Sequence, residues 1–247
     1  MGIVVGEKVA LAFEYAAKKG RPVVAVVTSG GARIQEGVLS LMQMAKTSLA
    51  VNQLDAKGLP YISILANPAS GQAYASFANL ADIILTEPGA IVGLAPMRAI
   101  REGGEERPPG AAHTAESHLR SGMLDAVVDR TTLRNEVAVL LDLLGPRYRL
   151  TSTRKAEITD VEEARQPAWD SVKLARHADR PTSLDYIERI VTDFVELHGD
   201  RSFGDDRSIV SGLGHLGGQT VMVIGQERGR PSDPIGRNDG RTSPEGF

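Results

Sequence analysis

Two hydrophobic rhythms alternate along the chain, one at helical steps and one in short continuous runs. Between Glu7 and Lys19 the apolar residues Val9, Ala10, Ala12, Phe13, Ala16 and Ala17 recur every three or four positions. Lys18-Lys19-Gly20 then supplies a basic last turn and a glycine cap, so the pattern predicts a helix that stops there. Val23 to Val27 is a continuous apolar run, four β-branched valines around Ala25, which predicts a strand inside a sheet covered on both faces. After Thr28-Ser29-Gly30-Gly31-Ala32-Arg33 a second helix is expected from about Gln35 to Lys57, with Val38, Leu41, Met42, Ala45, Leu49 and Leu54 on its apolar face. A strand at Tyr61 to Leu65, a turn through Asn67-Pro68-Ala69-Ser70-Gly71, a short helix at Gln72 to Leu80 and strands at Asp82 to Thr86 and Ala90 to Leu94 complete the series. Strand, glycine turn and helix in repetition predict an α/β fold with right-handed crossovers.

Beyond this point the rhythm loosens. Arg98 to Gly110 is charged and rich in Pro and Gly, which predicts a mobile loop able to serve as a lid; helices are expected at His113 to Gly122 and Leu133 to Leu144. The domain reading is residues 1–150, a linker at 151–180 with at most a short helix around Val161 to Ala164, and a second domain at 181–247. The second domain should open with an amphipathic helix from Ser183 to Leu197, capped by Thr182 or Ser183 and presenting Tyr186, Ile187, Ile190, Phe194 and Leu197. Strands are expected at Ile209 to Leu213 and Gln219 to Gly225. The second of these reads as a buried parallel strand, yet only a polar run to Phe247 follows, so the chain is expected to be cut inside a domain.

Composition narrows the function classes. With 28 basic and 31 acidic residues among 247 the net charge is -3, which gives no electrostatic footprint for nucleic acid or an acidic membrane. The chain has no cysteine, which removes disulfides, thiol nucleophiles and Cys-ligated zinc from consideration. No secretory signal precedes Glu7, and the uncharged stretch Gly58 to Ala81 is too interrupted by Pro, Asn, Ser and Gln for a lipid-spanning helix, so the cytoplasm is the expected location. Aromatics are 4% while Gly and Pro number 26 and 13, a balance that favours sites built from main chain over stacking platforms.

Candidate chemistry sits at two strand-end turns, Ser29-Gly30-Gly31-Ala32 and Ser70-Gly71-Gln72-Ala73, each expected to open a helix. Free N–H groups at such turns can hold an oxyanion, although glycine there can equally be turn chemistry alone. Ser29 and Ser70 lie in no Gly-x-Ser-x-Gly elbow and lack an evident histidine base, which argues against a serine hydrolase. His113 and His118 lack the spacing of a zinc helix, so no metal site is expected. The run His198-Gly199-Asp200-Arg201 with Asp205-Asp206-Arg207 reads either as a carboxylate cluster or as a salt-bridged turn. Arg33, Lys46 and Arg98 are candidate phosphate contacts.

Several segments carry a family resemblance: Val5-Gly6-Glu7-Lys8, Ser29 through Gly37, Leu41 through Ser48, Gly58 through Ser63, Ala75-Ser76-Phe77-Ala78, Glu87 through Ala90 and Gly122 through Asp125. Together they resemble the carboxyltransferase β subunit of bacterial acetyl-CoA carboxylase, to about Leu144. Arg180-Pro181, Tyr186-Ile187, Phe194 through Arg201 and Gly204-Asp205-Asp206 resemble the start of the α subunit, so β followed by α resembles a fused carboxyltransferase.

The resemblance implies a crotonase-like α/β fold and transfer of a carboxyl group from carboxybiotin, on a biotin carboxyl carrier protein, to acetyl-CoA. Malonyl-CoA for fatty-acid synthesis would be the product of an ATP-dependent complex that also contains biotin carboxylase. It further implies a homo-oligomer whose active site lies between β and α halves. An oxyanion hole of main-chain N–H groups would fall on Gly71 and Gln72, with Gln72 standing where the family has a second glycine and its side chain narrowing the approach. Ser29, Gly30, Gly31, Ala32 and Arg33 would bind the CoA side of the substrate. Because the family assigns proton removal to biotin, no catalytic side chain is required. The family's zinc ribbon has no counterpart in a chain without cysteine, and the second glycine turn of the α half is not found before Phe247, so the chain by itself is expected to be inactive. Carboxylation of propionyl-CoA or another acyl-CoA, and a non-catalytic scaffold, remain the alternatives.

Overall fold

The computed structural model describes residues 1–94, 113–145, 167–202, 204–230, 236–237 and 240–243. Its contacts group into two units, one comprising Met1–Leu144 with His198–Asp205, the other Gly145–Leu197 with Asp206–Phe247. The expected loop at Arg98 to Gly110, with Arg98 itself, and the short helix at Val161 to Ala164 lie outside the described residues.

In the first unit α1 (Ile3–Lys19) buries Gly6, Ala10, Phe13, Ala16 and Ala17, and ends at Gly20, whose left-handed backbone (φ 63°) lets its N–H reach Ala16 O. A parallel sheet follows in the order β1 (Val23–Ser29), β2 (Tyr61–Ser70), β3 (Ile83–Thr86), β5 (Ala126–Val127), with β4 (Val92–Gly93) pairing the far end of β2. Parallel pairing of this kind requires crossovers, and α2 (Val38–Asp55) supplies the first. The core gathers Phe13, Tyr61 and Phe77, with Phe13 edge-on to both rings at centroid distances of 4.8 and 6.4 Å.

Three expectations change here. β1 is an edge strand, and Val24 and Val26, on one of its faces, are 39% and 66% exposed, so the strand is not covered on both faces. α2 begins at Val38, after a 3-10 turn at Ile34–Glu36, and it buries Ser40, Gln43, Thr47, Ala50, Val51 and Leu54. Of its expected apolar face Leu54 is buried, while Val38, Leu41, Met42 and Leu49 are all more than half exposed. Close approach of α1 explains the choice, because a Cβ on Gly6 would stand 2.4 Å from Gln43 Oε1, so small and polar side chains face α1. Gln72 to Leu80 is not an α-helix but a series of turns ending in a 3-10 turn at Phe77–Asn79. Ser76 Oγ donates to Gln72 O at 2.8 Å, using the carbonyl that a continuing helix would need.

The remaining helices of this unit are α3 (Ala115–Arg120), capped by Thr114, and α4 (Leu133–Leu143). Segment His198–Asp205 reaches the residues just before β3 and β5, Asp82 and Asp125, through Arg201. Gly122 and Gly199 meet so closely that a Cβ on Gly199 would stand 2.1 Å from Gly122 Cα. Arg201, held at φ 64°, donates from Nη2 to Asp82 O at 2.9 Å and to Asp125 Oδ2 at 3.0 Å. Asp125 also accepts from Ile84 N–H at 2.7 Å, and its burial raises its pKa above the ordinary carboxylate value in spite of the guanidinium.

The second unit contains α5 (Ala168–Ala175), α6 (Ser183–Ile190) and an antiparallel sheet β6 (Thr192–Glu196), β7 (Ile209–Leu216), β8 (Gln219–Gln226). α5 falls inside the stretch read as a linker. The expected helix to Leu197 ends at Ile190, since Val191 is extended and Asp193 adopts φ 53°, and Phe194 therefore lies in a strand. β8 pairs antiparallel to β7 across a Gly217-Gly218 hairpin (φ 61° and 82°), so it is not the parallel strand expected at this end.

Removing the Arg201 guanidinium would leave Asp125 buried and unpaired. Arg201→Ala is expected to destabilise the protein by about 3 kcal/mol in denaturant unfolding, and Asp125→Asn on that background to restore part of the loss. Equal stability of Arg201→Ala and wild type would contradict the assignment.

Candidate active site

β1 and β2 run parallel with Ser29 opposite Ala69, a register shifted by one irregularity after Val27, so both glycine turns emerge side by side at the carboxyl edge of the sheet. This is the edge at which ligands bind in open parallel sheets.

In the first turn Gly30 is exposed and a Cβ there would meet nothing within 4 Å, while Gly31 at φ 118° takes a conformation reserved for glycine. Ser29 is half-buried and its Oγ accepts from Gly31 N–H at 3.3 Å; it has no histidine partner. Ala32 is exposed. The Arg33 side chain is 65% exposed beside Glu36 (3.4 Å), while its N–H reaches Met1 O at 3.0 Å.

The second turn departs from expectation in one donor. Gly71 (φ 64°) gives its N–H to Gly93 O at 2.9 Å, which takes it out of the expected oxyanion pair. Its carbonyl accepts Ala75 N–H at 2.9 Å, closing one helical turn. Inside that turn the N–H groups of Gln72, Ala73 and Tyr74 have no acceptor among the described residues, as in the first turn of a helix, and Gln72 and Ala73 are the two that follow Gly71. Gln72 and Ala73 are therefore adjacent in the turn, while Gly71 is engaged with Gly93. The Gln72 side chain does not hang over the turn: its Nε2 donates to Ser40 O and its Oε1 accepts from Ser40 Oγ at 3.2 Å. Nothing in the sequence pointed to Ser40 or to Gly93, since a lone serine on a helix and a glycine in a short strand carry no motif.

Around Gly93 lie further polar groups. A Cβ on Gly93 would stand 2.9 Å from His113 Nδ1 and 3.4 Å from His118 Nε2. Tyr74 packs edge-on to His118 at 5.7 Å, and burial raises its pKa against the pull of Arg201. Ser70 Oγ, Tyr74 Oη and His113 Nδ1 are buried with no partner among the described residues. His118 Nδ1 bonds Thr114 O at 3.1 Å, and burial holds its pKa below the ordinary value. Among the described residues no three His, Asp or Glu side chains group in a way that could hold a metal ion.

Other candidates separate from the turns. Lys46 pairs with Glu7 between α2 and α1, away from any phosphate role at the turns. The acidic run is a hydrogen-bonded turn: Asp205 accepts from Gly199 N–H at 3.2 Å and meets His198 Nδ1 at 2.9 Å, while Asp200 accepts from Ser202 N–H at 2.8 Å.

A parallel sheet with two glycine turns at one edge and main-chain donors left open is the class of the crotonase-like carboxyltransferases, and the solved structures agree. Transcarboxylase 12S, with hydrolysed methylmalonyl-coenzyme A bound, superimposes with a TM-score of 0.67 at 26% identity, over 91% of this chain and 43% of its own. Residues 148–247 match the family described as acetyl co-enzyme A carboxylase carboxyltransferase-like. The acetyl-coenzyme A carboxylase carboxyl transferase subunits beta/alpha of Natranaerobius thermophilus are 45% identical, over all of this chain and 44% of the relative. The subunit beta of Desulforamulus reducens is 48% identical over 145 residues, 59% of this chain and 50% of that subunit. The chain belongs to the acetyl-CoA carboxylase carboxyltransferase family, in its beta/alpha form, and spans about 44% of the length of the full-chain relatives.

His118 titrates below the ordinary histidine value of about 6.5, so the unfolded chain takes up this proton first as the pH falls. Its contribution to stability is whole above that value and is lost as the pH drops through the folded pKa. Thermal unfolding below about pH 6.5 should therefore be less pH-dependent in His118→Gln than in wild type; parallel curves would contradict this.

Proposed function

We propose that this chain is part of the carboxyltransferase of an acetyl-CoA carboxylase, which moves the carboxyl group of carboxybiotin to the methyl carbon of acetyl-CoA and yields malonyl-CoA. The observation that carries the reading is the open donor turn at Gln72 and Ala73 beside the Ser29–Arg33 turn. The thioester carbonyl gains negative charge as its methyl group loses a proton, and fixed N–H groups aimed at that oxygen lower the barrier, at about 3 kcal/mol per donor. Ser29, Gly30, Gly31, Ala32 and Arg33 would line the CoA side, where the absence of a side chain at Gly30 leaves room for the substrate. Carboxybiotin supplies the carboxyl group and reaches the site on a carrier protein, itself charged by biotin carboxylase.

The division we adopt is a β-type domain at residues 1–150, a linker at 151–180 and the start of an α-type domain from 181, in a cytoplasmic enzyme of fatty-acid synthesis. Among the described residues no helix is long and apolar enough to cross a membrane. The exposed stripe of Val38, Leu41, Met42 and Leu49 on α2 supports association with a second copy, which would complete the site.

The test is malonyl-CoA formation by the full-length protein from acetyl-CoA and carboxybiotin, with propionyl-CoA in parallel. Turnover of acetyl-CoA is expected, and none from the 247-residue chain alone. Turnover of propionyl-CoA only would replace acetyl-CoA as substrate, and a folded oligomer silent with both would make the protein a scaffold.

A further inference from the structure

The donor turn at Gln72 and Ala73 is not backed by a helix, because the chain leaves helical geometry at Ser76 (φ -126°, ψ -120°). Its direction must be fixed by other contacts. One is the bond from Gly71 N–H to Gly93 O at 2.9 Å. A second, inside the turn, is the bond from Ser76 Oγ to Gln72 O at 2.8 Å. The contact that reaches α2 is the Gln72 side chain, 6% exposed, both of whose polar atoms are bonded to Ser40 on the first turn of that helix. Only one amide orientation satisfies both bonds, since Ser40 O requires a donor.

Ser40 is itself 1% exposed and reaches the other glycine turn. Its Oγ accepts from Arg33 N–H at 3.1 Å and shares its single proton between Met1 O at 2.7 Å and Gln72 Oε1 at 3.2 Å. The main chain of Arg33 and the side chain of Gln72 thus meet at one buried serine. A carboxamide with both ends engaged away from solvent is held far more firmly than an exposed one, because breaking either bond leaves a buried polar atom unpaired.

We infer that Gln72 is a positioning residue: its carboxamide, clamped on Ser40, fixes the main-chain donors of Gln72 and Ala73 relative to the Ser29–Arg33 turn. The inference rests on the carboxyltransferase reading above, and deepens it. The substrate's carbonyl and its CoA portion bind on different turns, so a hub that locks one turn to the other sets the reacting geometry without touching substrate. Glycine or alanine at position 72 could supply the same N–H but not the lock.

The experiment uses the full-length protein with Gln72→Met, which keeps length and apolar bulk but makes neither bond, and with Ser40→Ala and Ser40→Thr. Gln72→Met is expected to lower kcat about 10- to 100-fold, the scale of a misplaced reacting group, while KM for acetyl-CoA changes less than about threefold. Ser40→Ala should show a smaller kcat loss, Ser40→Thr should recover it, and Ser40→Ala added to Gln72→Met should cost little more than Gln72→Met alone. Amide hydrogen exchange gives a readout that needs no turnover: the Gly71 and Ala75 amides should exchange faster in Gln72→Met. Wild-type kcat in Gln72→Met, a loss confined to KM, no recovery in Ser40→Thr, or unchanged exchange would each overturn the clamp. Absence of malonyl-CoA formation by the wild type, with faster exchange in Gln72→Met, would overturn the enzymatic reading and leave the clamp standing.

Discussion

The parallel pairing of β1 with β2 is the constraint from which the candidate site follows. Ten residues of β2 run beside the seven of β1, and the irregularity after Val27 sets Ser29 against Ala69. Two loops that are some forty residues apart in the chain are thereby brought out at one edge, with their glycines adjacent. Parallel pairing cannot be closed by a tight turn, so α2 is an obligatory part of the arrangement, and its first turn lands where it can touch both loops. Main-chain donors then need no dedicated side chain. The sheet orders the backbone, and the backbone carries the chemistry.

Much of this was legible in the residues, because the signals were local. The glycine cap at Gly20, the valine-rich run at Val23 to Val27 and the Thr182 capping residue act within one turn of chain, and the helices and strand they announced are present. The turns at Ser29–Ala32 and Ser70–Ala73 were visible for the same reason. What could not be read was set by tertiary contact. The hydrophobic periodicity of α2 selected a face that is exposed except at Leu54, since burial there is decided by the close approach of Gly6 to Gln43. Likewise the loss of Gly71 as a donor depends on Gly93, twenty-two positions away, and the Ser40 hub depends on three segments converging. Strand direction at β8 failed for a related reason: the Gly217-Gly218 pair decided between hairpin and crossover, and the apolar run alone did not.

The buried polar groups follow an order that matches this division of labour. Gln72 and Ser40 satisfy one another and hold two loops. Asp125 and Arg201 form a second such pair, joining β3, the turn before β5 and segment His198–Asp205. Ser70, Tyr74 and His113 carry polar atoms that are buried without partners, close to the strand end where the donors open. Satisfied networks therefore join separate segments, while the unpartnered polar atoms are divided between this strand end and Gln43, Ser63 and Asn79 in α2, β2 and the 3-10 turn.

Gly122 and Gly199 touch backbone to backbone, although Gly199 lies in the half of the sequence that matches the α-type family and Gly122 in the half that aligns with a separate subunit beta. Such a contact tolerates no side chain on either glycine, and the polar bonds beside it come from Arg201, to Asp82 and to Asp125. A side chain at Gly199 would push apart backbone that no rotamer change could relieve, and would carry the guanidinium away from its carboxylate. Shape at two glycines is thus the condition on which the buried charge pair next to them is met.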